Sequence, residues 1–239
     1  MSKKIPVFVS LFGLAFILLS ATIDLDNLFN YANQDLPNYI NKDNTNGNPI
    51  DDKVATLGRV LFYDKQLSNN GTIACASCHL QENAFSDPAV RSVGLDGGFT
   101  GRHSMRLINA RFALETRFFW DERAVTLEDQ TTQPIQDHVE MGFSGTNGDP
   151  DINDLIDILS EVDYYNTLFT FAFGDEEVTE NRMQMALAQF VRSIQSFDSR
   201  FDDGLVQVNN INQPFPNFTT EENQGKNLYL APPPNGGAG

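Results

Sequence analysis

The sequence predicts a mostly α-helical protein with long loops, and three observations point to this class. Apolar residues recur at helical spacing in several segments of the chain. No segment shows the sustained alternation of apolar and polar residues that is typical of a strand. Residues 83–102 contain four glycines and a proline, which predicts a long irregular loop. Long loops in compact domains are usually functional or disordered.

The N-terminus has the pattern of a secretory signal peptide over residues 1–21. Two lysines precede an apolar run over 7–19, and Leu19-Ser20-Ala21 offers a small-residue cleavage site. The run is shorter than the roughly 20 apolar residues of a membrane span, so an uncleaved anchor is the weaker alternative. We therefore expect an exported protein. Residues 22–50 are polar and rich in Asn and Asp, which predicts a flexible lead-in.

The helical segments are placed by their apolar spacing and their capping residues. The first is amphipathic and covers 51–64, and a turn over 67–72 follows it. The longest covers 179–198 and starts at the N-cap Thr179. Its apolar residues share one face of the helix: Met183, Ala186, Leu187, Phe190, Val191 and Ile194. The other segments are a short helix and connector over 107–119, helices over 126–133 (N-cap Thr126), 151–160 (N-cap Asp151 or Asn153) and 163–173, and a helix that begins over 221–230.

Charge and cysteine content exclude two classes of protein. The 239 residues include 16 basic and 32 acidic ones, for a formal net charge of −16. Nucleic acid is therefore not an expected partner, because phosphate binding needs a basic face. Two cysteines allow one bridge at most, which excludes a disulfide-stapled scaffold. The acidic surface suits either a cationic partner or simple solubility.

Both cysteines lie in one pentapeptide over 75–79, Cys-Ala-Ser-Cys-His. Cys-x-x-Cys-His is the attachment signature of c-type haem, in which two thiols add to the haem vinyl groups and the imidazole binds iron. A disulfide would not need His79, and a zinc site would need two further ligands close by. One of only three histidines follows the only two cysteines, so chance is a poor explanation. We predict one covalently bound haem c, held by Cys75, Cys78 and His79.

Short motifs on both sides of this pentapeptide resemble the bacterial dihaem cytochrome c peroxidase family, which includes the dihaem enzyme that matures methylamine dehydrogenase. The resemblance covers about residues 51–230 and implies a cytochrome c-like haem domain. Any one motif alone would be weak, but together they are specific. The motifs are residues 57–64 and 67–68 before the haem signature, and residues 92–94, 101–102, 107–110, 118–124, 127–130, 134–136, 140–142, 164–165, 173–175 and 186–190 after it.

The resemblance implies roles for four residues. His79 matches the proximal ligand of the N-terminal, peroxidatic haem, and Glu140 and Gln130 match the glutamate and glutamine of its distal pocket. A carboxylate there takes a proton from hydrogen peroxide and returns it to the leaving oxygen, while Gln130 orients the peroxide. Trp120 matches a tryptophan between the two haems that assists electron transfer. From the residues alone, a carboxylate in an acidic protein such as Glu140 is normally at the surface, and its place in Glu140-Met141-Gly142 favours the catalytic role by resemblance. Core packing is the alternative for Trp120, and it is compatible with a role in electron transfer.

Four positions depart from the family pattern or leave alternatives open. Leu95 stands where some members have a removable histidine ligand, so ligand-switch activation by this residue is not expected. His103 stands where many members have an asparagine that binds an inter-haem calcium ion, and imidazole is a poor calcium ligand. Calcium is therefore doubtful, and the haem or a propionate is an alternative partner for His103. His138 is expected in the pocket or on the surface, and Arg123 at a propionate or a backbone group.

The resemblance also implies a second haem signature, which this sequence does not contain. Residues 225–230 resemble the segment that precedes the second signature in the family. We therefore expect an N-terminal portion of a longer protein, with the second haem held elsewhere in it. The predicted organisation is a peroxidatic haem domain over 51–215 and the incomplete start of a second cytochrome c-like domain over 216–239.

The function implied by the resemblance is that of a periplasmic dihaem peroxidase. Hydrogen peroxide is its expected substrate, a small cytochrome c or cupredoxin is its expected electron donor, and a homodimer is its expected assembly. One alternative is a c-type haem electron carrier or sensor without peroxidase turnover. Another is a related dihaem oxidase that acts on an organic or protein substrate.

Overall fold

The computed structural model describes residues 24–45, 47–113 and 117–232, so the predicted signal peptide lies outside the described residues. Within these ranges the protein is helical and contains no β-sheet, only three isolated bridges. The mostly α-helical prediction is confirmed. No helix in the described ranges is long and apolar enough to cross a membrane. The helices are α1 (Asp52–Tyr63), α2 (Cys75–Cys78), α3 (Leu127–Thr131), α4 (Ile152–Ser160), α5 (Asp163–Phe173), α6 (Glu180–Ser193), α7 (Arg200–Leu205) and α8 (Thr220–Leu230).

The crossing of α1 and α6 forms the centre of the main core. The side chain of Asp51 caps α1 by accepting hydrogen bonds from the backbone of Lys53 and Val54, at 2.9 and 3.2 Å. Gly58 sits where the two helices meet, and a Cβ atom at this position would overlap the Ala186 carbonyl. All six residues predicted to line one side of α6 are buried. The apolar spacing therefore predicted which face of α6 is buried.

The α6 helix ends at Ser193, so the prediction that it continues to residue 198 is wrong. Asn109 instead forms hydrogen bonds with the backbone groups that would have continued the helix. Its N–H donates to the Ile194 carbonyl at 2.9 Å, and its side-chain amide exchanges two 3.0 Å hydrogen bonds with the backbone of Ser196. A tertiary contact thus replaces the last turn.

The middle helices follow their predicted caps closely. Thr126 accepts a hydrogen bond from the Asp129 backbone at 3.0 Å and starts α3, which ends two residues before its predicted end. Asp151, rather than Asn153, caps α4. The α5 helix has its predicted bounds and stops at Gly174, which adopts a left-handed conformation. The short helix predicted within 107–119 is reduced to a 3₁₀ turn over Ala110–Phe112.

The lead-in, predicted to be flexible, is hydrogen-bonded to the helices in its described part. The backbone N–H groups of Tyr31 and Ala32 both donate to Asp52, at 2.7 and 2.8 Å. The Asn48 carboxamide accepts from Gln189 at 2.6 Å and donates to the Met185 carbonyl at 3.1 Å. This segment has no regular secondary structure, yet it covers the α1–α6 crossing.

A second, smaller cluster surrounds Phe215, which is buried but separate from the main core. Its ring lies 5.1 Å from that of Phe201 on α7 and 5.3 Å from that of Phe218. The α7 helix was not predicted, because it is short and contains a glycine, although a capping box at Ser199 starts it. Residues on both sides of position 215 pack together here, and the domain boundary at that position stays a prediction.

Candidate haem site

The haem signature forms one short helix at the edge of the main core. The α2 helix holds Cys75 and Cys78 one turn apart, and the Ala74 backbone N–H donates to the Ser77 hydroxyl at 3.0 Å. Both thiols are free and half-buried. His79 follows at the C-terminal end of the helix. The turn places two thiols and an imidazole together, as covalent haem attachment requires.

Hydrogen bonds determine the tautomer of His79. Its Nδ1 lies 2.9 Å from the Phe85 carbonyl oxygen and 3.2 Å from the Ser104 hydroxyl. A carbonyl oxygen can only accept, so Nδ1 carries the proton and the lone pair is on Nε2. Burial lowers the pKa of His79, although the hydrogen bond to the Phe85 carbonyl opposes this effect. A neutral imidazole with a free Nε2 is the form that binds iron.

The residues around the thiols also fit a haem. Burial raises the pKa of Cys75 to about 12 and, more moderately, that of Cys78, so both thiols are protonated at neutral pH. The Ser92 hydroxyl is buried beside the Cys78 thiol, and its interaction with the thiol partly opposes the rise in the pKa of Cys78. Within the described residues, no three His, Cys, Asp or Glu side chains cluster as a metal site would require. This donor set suits a covalently attached haem better than a zinc ion.

A tight turn presents Glu140. One carboxylate oxygen of Asp137 accepts from the backbone N–H groups of Val139 and Glu140, at 2.8 and 3.0 Å. The Asp137 carbonyl accepts from Met141 and Gly142 at 3.2 and 2.8 Å. Burial, and then repulsion from Asp137, raises the pKa of Glu140 to about 7, while Arg123 opposes the shift. At neutral pH this carboxyl group is balanced between its two protonation states.

The structure brings Glu140 and the haem signature together. The negative charge of Glu140 contributes to the raised pKa of both Cys75 and Cys78. The Glu140 side chain is half-buried rather than fully exposed, and its catalytic role stays a prediction.

The loop after the signature supports the Glu140 turn. The Leu95 N–H donates to the Val139 carbonyl at 2.8 Å and to the Glu140 carbonyl at 3.2 Å. Gly94 lies so close that a Cβ atom would overlap the Val139 carbonyl. The Leu95 side chain is buried and contacts Gly142. A hydrocarbon side chain cannot bind iron, so this position supplies packing to the Glu140 turn and no ligand.

Gln130 lies on α3, which is fixed to α6 by a buried ion pair between Glu128 and Arg192. The Gln130 side chain is half-buried. Within the described residues, no hydrogen bond links it to Glu140. The structure therefore supports α3 as a rigid carrier of Gln130 without showing the two predicted distal residues in contact.

Trp120 is 59 % exposed, so the alternative that it packs in the core is wrong. Its indole N–H donates to the His103 carbonyl at 2.9 Å. Nearby, Arg123 pairs with Asp121 at 2.9 Å and bonds the Gln133 carboxamide at 3.1 Å. Arg123 thus contacts side chains, and not the backbone group that was one of its two predicted partners.

The two remaining histidines lie in the surrounding loops. His103 bonds the Ala89 carbonyl through Nδ1 at 2.9 Å and the Ser86 hydroxyl through Nε2 at 3.3 Å. His138 pairs with Asp149 at 2.6 Å on the surface, and this carboxylate raises the pKa of His138. Of the two predicted places for His138, pocket or surface, the structure favours the surface.

Sequence reasoning missed Phe85 and Ser104 as partners of His79, and Asp137 as the residue that shapes the Glu140 turn. An aspartate two or three residues before a functional position is a recognisable turn signal, so Asp137 could have been found. Nothing local distinguishes Phe85, which contributes only its carbonyl oxygen, or Ser104, which lies 25 residues from His79.

Comparison with known families decides the classification. Residues 52–210 match the model of the family described as di-haem cytochrome c peroxidase. The chain belongs to this family. Its mostly helical fold and its single haem signature agree with a cytochrome c-like haem domain of the di-haem cytochrome c peroxidases.

Individual members of the family show the same relationship. The methylamine utilization protein MauG of Methylophilus methylotrophus is 35 % identical over 155 residues, which are 65 % of this chain and 44 % of that protein. The cytochrome c551 peroxidase of Nitrosomonas europaea is 30 % identical over 182 residues, covering 76 % of this chain and 50 % of that protein. The chain spans about half the length of the curated relatives that it matches.

Among solved structures, a MauG-like protein associated with microbial copper homeostasis is similar, with a TM-score of 0.70 and 33 % identity. The match covers 83 % of this chain and 55 % of that protein. The diheme peroxidase BthA of Burkholderia thailandensis has a TM-score of 0.60 at 23 % identity, a likeness of fold alone.

Proposed function

We propose that this chain is the peroxide-reacting portion of a dihaem peroxidase in the periplasm. The observation that carries the proposal is the position of Glu140 near a complete haem signature. The pKa of Glu140 is raised to about 7. Membership of the di-haem cytochrome c peroxidase family supports it independently. Periplasmic location is supported by the predicted signal peptide over residues 1–21.

Three side chains would hold the haem: Cys75 and Cys78 by thioether bonds, and His79 through Nε2. When bound, the haem would supply the iron and the electrons that reduce hydrogen peroxide to water. A second haem is expected beyond this chain. Calcium is not expected at His103, because imidazole is a poor calcium ligand and its Nδ1–H already donates to the Ala89 carbonyl.

The chain's own contribution to the chemistry is proton transfer and orientation. Glu140 in its deprotonated form takes a proton from peroxide, and in its protonated form returns it to the departing oxygen. A pKa near the working pH makes both steps accessible to one group. Gln130 would orient the peroxide by hydrogen bonding from the rigid α3 helix. Leu95 is buried against the turn that presents Glu140 and would help to keep that turn in place.

Trp120 is proposed to carry electrons into this haem from outside the chain. Its 59 % exposure leaves the ring free to contact a second haem domain, and its bond to His103 fixes its orientation. The original donor would be a small cytochrome c or cupredoxin. A basic donor would complement the net charge of −16, and the rate of its reaction should then fall as salt is added.

The decisive experiment is Glu140→Gln in the haem-loaded protein, mixed rapidly with hydrogen peroxide. Loss of a general acid–base group of this kind costs about 10²- to 10⁴-fold, so we expect a decrease of that size in the peroxide reaction rate. Glu161→Gln is the matched control, because Glu161 is exposed at the end of α4 and lies 21 residues after Glu140 in the sequence. A Glu140→Gln protein that reacts at the parental rate would remove Glu140 from the mechanism.

A second candidate is a dihaem oxidase that acts on an organic or protein substrate. Leu95 at the position of a removable ligand, and the relatives named MauG, favour this possibility. The discriminating measurement is the lifetime of the peroxide-oxidised protein without a donor. A state that persists until an organic substrate is added favours the oxidase, whereas dependence on a redox protein favours the peroxidase.

A further inference from the structure

The proton on His79 Nδ1 has two acceptors. The Phe85 carbonyl oxygen lies 2.9 Å from this nitrogen and must receive the proton, because it has none to donate. The Ser104 hydroxyl oxygen lies 3.2 Å from the same nitrogen. With the proton already on Nδ1, the serine oxygen can act only as a second acceptor. The imidazole N–H is therefore shared between a backbone carbonyl and a side-chain hydroxyl.

The two acceptors belong to one hydrogen-bonded unit. The Ser86 hydroxyl donates to the Ser104 carbonyl at 2.7 Å. The backbone of Ser86 is paired with that of Leu80, directly after His79, in the turn that contains Phe85. Ser104 is thus held against the turn by a neighbour of Phe85, and its half-buried position limits competition from water. The hydrogen bonds of the loop therefore hold the Ser104 hydroxyl against His79.

We propose that Ser104 is a positioning residue for the proximal ligand and that its hydroxyl lowers the reduction potential of the haem held by His79. An acceptor on Nδ1–H increases the electron density at Nε2, which makes the imidazole a stronger donor to iron. A stronger donor stabilises the ferric state relative to the ferrous state. This inference rests on the proposed haem binding, and it adds a determinant of the potential within this chain.

The same segment connects the ligand to Trp120. The Trp120 indole N–H donates to the carbonyl of His103, the residue immediately before Ser104. The dipeptide His103-Ser104 therefore contacts the proximal histidine through one residue and the exposed tryptophan through the other. The proximal ligand and the proposed point of electron entry are held by neighbouring peptide units.

The test is the midpoint potential of the haem-loaded protein with Ser104→Ala and with Ser104→Thr. Alanine removes the acceptor, so we expect the equilibrium between ferric and ferrous haem to shift about threefold toward ferrous. At 59 mV for each tenfold change, this is a rise of about 28 mV. Threonine keeps the hydroxyl and should retain the parental potential. Ser160→Ala is the matched control, because Ser160 bonds only the Ile156 carbonyl on α4.

A second readout separates the hydrogen bond from a general structural change. The iron–histidine stretching frequency of the ferrous protein should be lower in Ser104→Ala than in Ser104→Thr, because Nδ1–H has lost an acceptor. Unchanged potential and unchanged frequency in a fully loaded Ser104→Ala protein would overturn the assignment of Ser104 while leaving the proposed function intact. Failure of the parental protein to attach haem would instead overturn the proposed function, and this inference with it.

Discussion

The two sides of the candidate haem site are controlled by different physical means. On the proximal side, the His79 Nδ1–H donates to the Phe85 carbonyl and the Ser104 hydroxyl, and these hydrogen bonds orient the ring. On the distal side, no hydrogen bond or ion pair within the described residues restrains the Glu140 carboxylate, and its pKa of about 7 comes from burial and neighbouring charge. A ligand that must stay in place is bonded, whereas a group that must gain and lose a proton is left adjustable.

This difference implies that the two sides should respond separately to mutation. Changes in the proximal hydrogen bonds should affect the potential and the spectrum of the haem. Changes in the distal turn should affect the rate of the peroxide reaction and its dependence on pH. Variants that alter one side of the haem site at a time would test this separation.

Gly94→Ala should disrupt the distal side alone. The added methyl group would overlap the Val139 carbonyl and displace the turn that presents Glu140. Since a misplacement of about 1 Å can cost 10²-fold in rate, we expect a loss of the peroxide reaction of that order. The midpoint potential should stay at the parental value. A shift in potential as large as that of Ser104→Ala would show that the two sides are not separable.

Asp137→Asn should move the pH dependence without removing the catalytic group. Asparagine keeps the oxygen that accepts from Val139 and Glu140 but removes the negative charge that helps to raise the pKa of Glu140. The pKa should fall from about 7 toward 4.5, so the acidic limb of the rate profile should move to lower pH. Arg123→Gln removes the opposing positive charge and should move the limb to higher pH.

Opposite shifts in these two variants would be hard to explain by general damage to the fold. Asp157→Asn on the exposed side of α4 is the control for a change in net charge. Shifts in the same direction, or an acidic limb that does not move in either variant, would show that Glu140 does not determine the pH profile.

His103→Ala should have the smallest effect and should be seen at Trp120. The His103 Nδ1–H donates to the Ala89 carbonyl, and this hydrogen bond holds the peptide whose carbonyl accepts from the indole. Without it, Trp120 should become more accessible to a soluble quencher, with emission shifted to longer wavelength. The chain has a single tryptophan, so the signal is unambiguous. His138→Ala serves as control, because His138 contacts Asp149 instead. Equal quenching of both variants would contradict this role.

Local patterns predicted much of the fold because the decisive interactions are local. Thr126 and Thr179 cap their helices through contacts three residues away, and each was recognised from the sequence. The end of α6 was missed because Asn109 replaces its last turn from 85 or more residues away. The unpredicted α7 is too short for apolar periodicity to identify.

The candidate site shows the same division. Cys75, Cys78 and His79 form a contiguous motif, so the haem anchor could be recognised directly. The position of Glu140 was predicted from a resemblance, whereas its pKa depends on burial and on Arg123, which only the fold brings near. The surface position of Trp120 contradicted the usual expectation for a lone tryptophan, because exposure depends on tertiary packing and not on residue type.

The separate cluster around Phe215 has a consequence for how the protein loses its structure. The α1–α6 core buries many apolar side chains. By contrast, α7 and α8 contact the loop between them through Phe201 and Lys226, and they are joined directly by the exposed ion pair of Arg200 and Glu222. Opening the smaller cluster exposes less apolar surface and therefore costs less free energy. Residues 199–232 should form a distinct cooperative unit that opens before the haem-binding core.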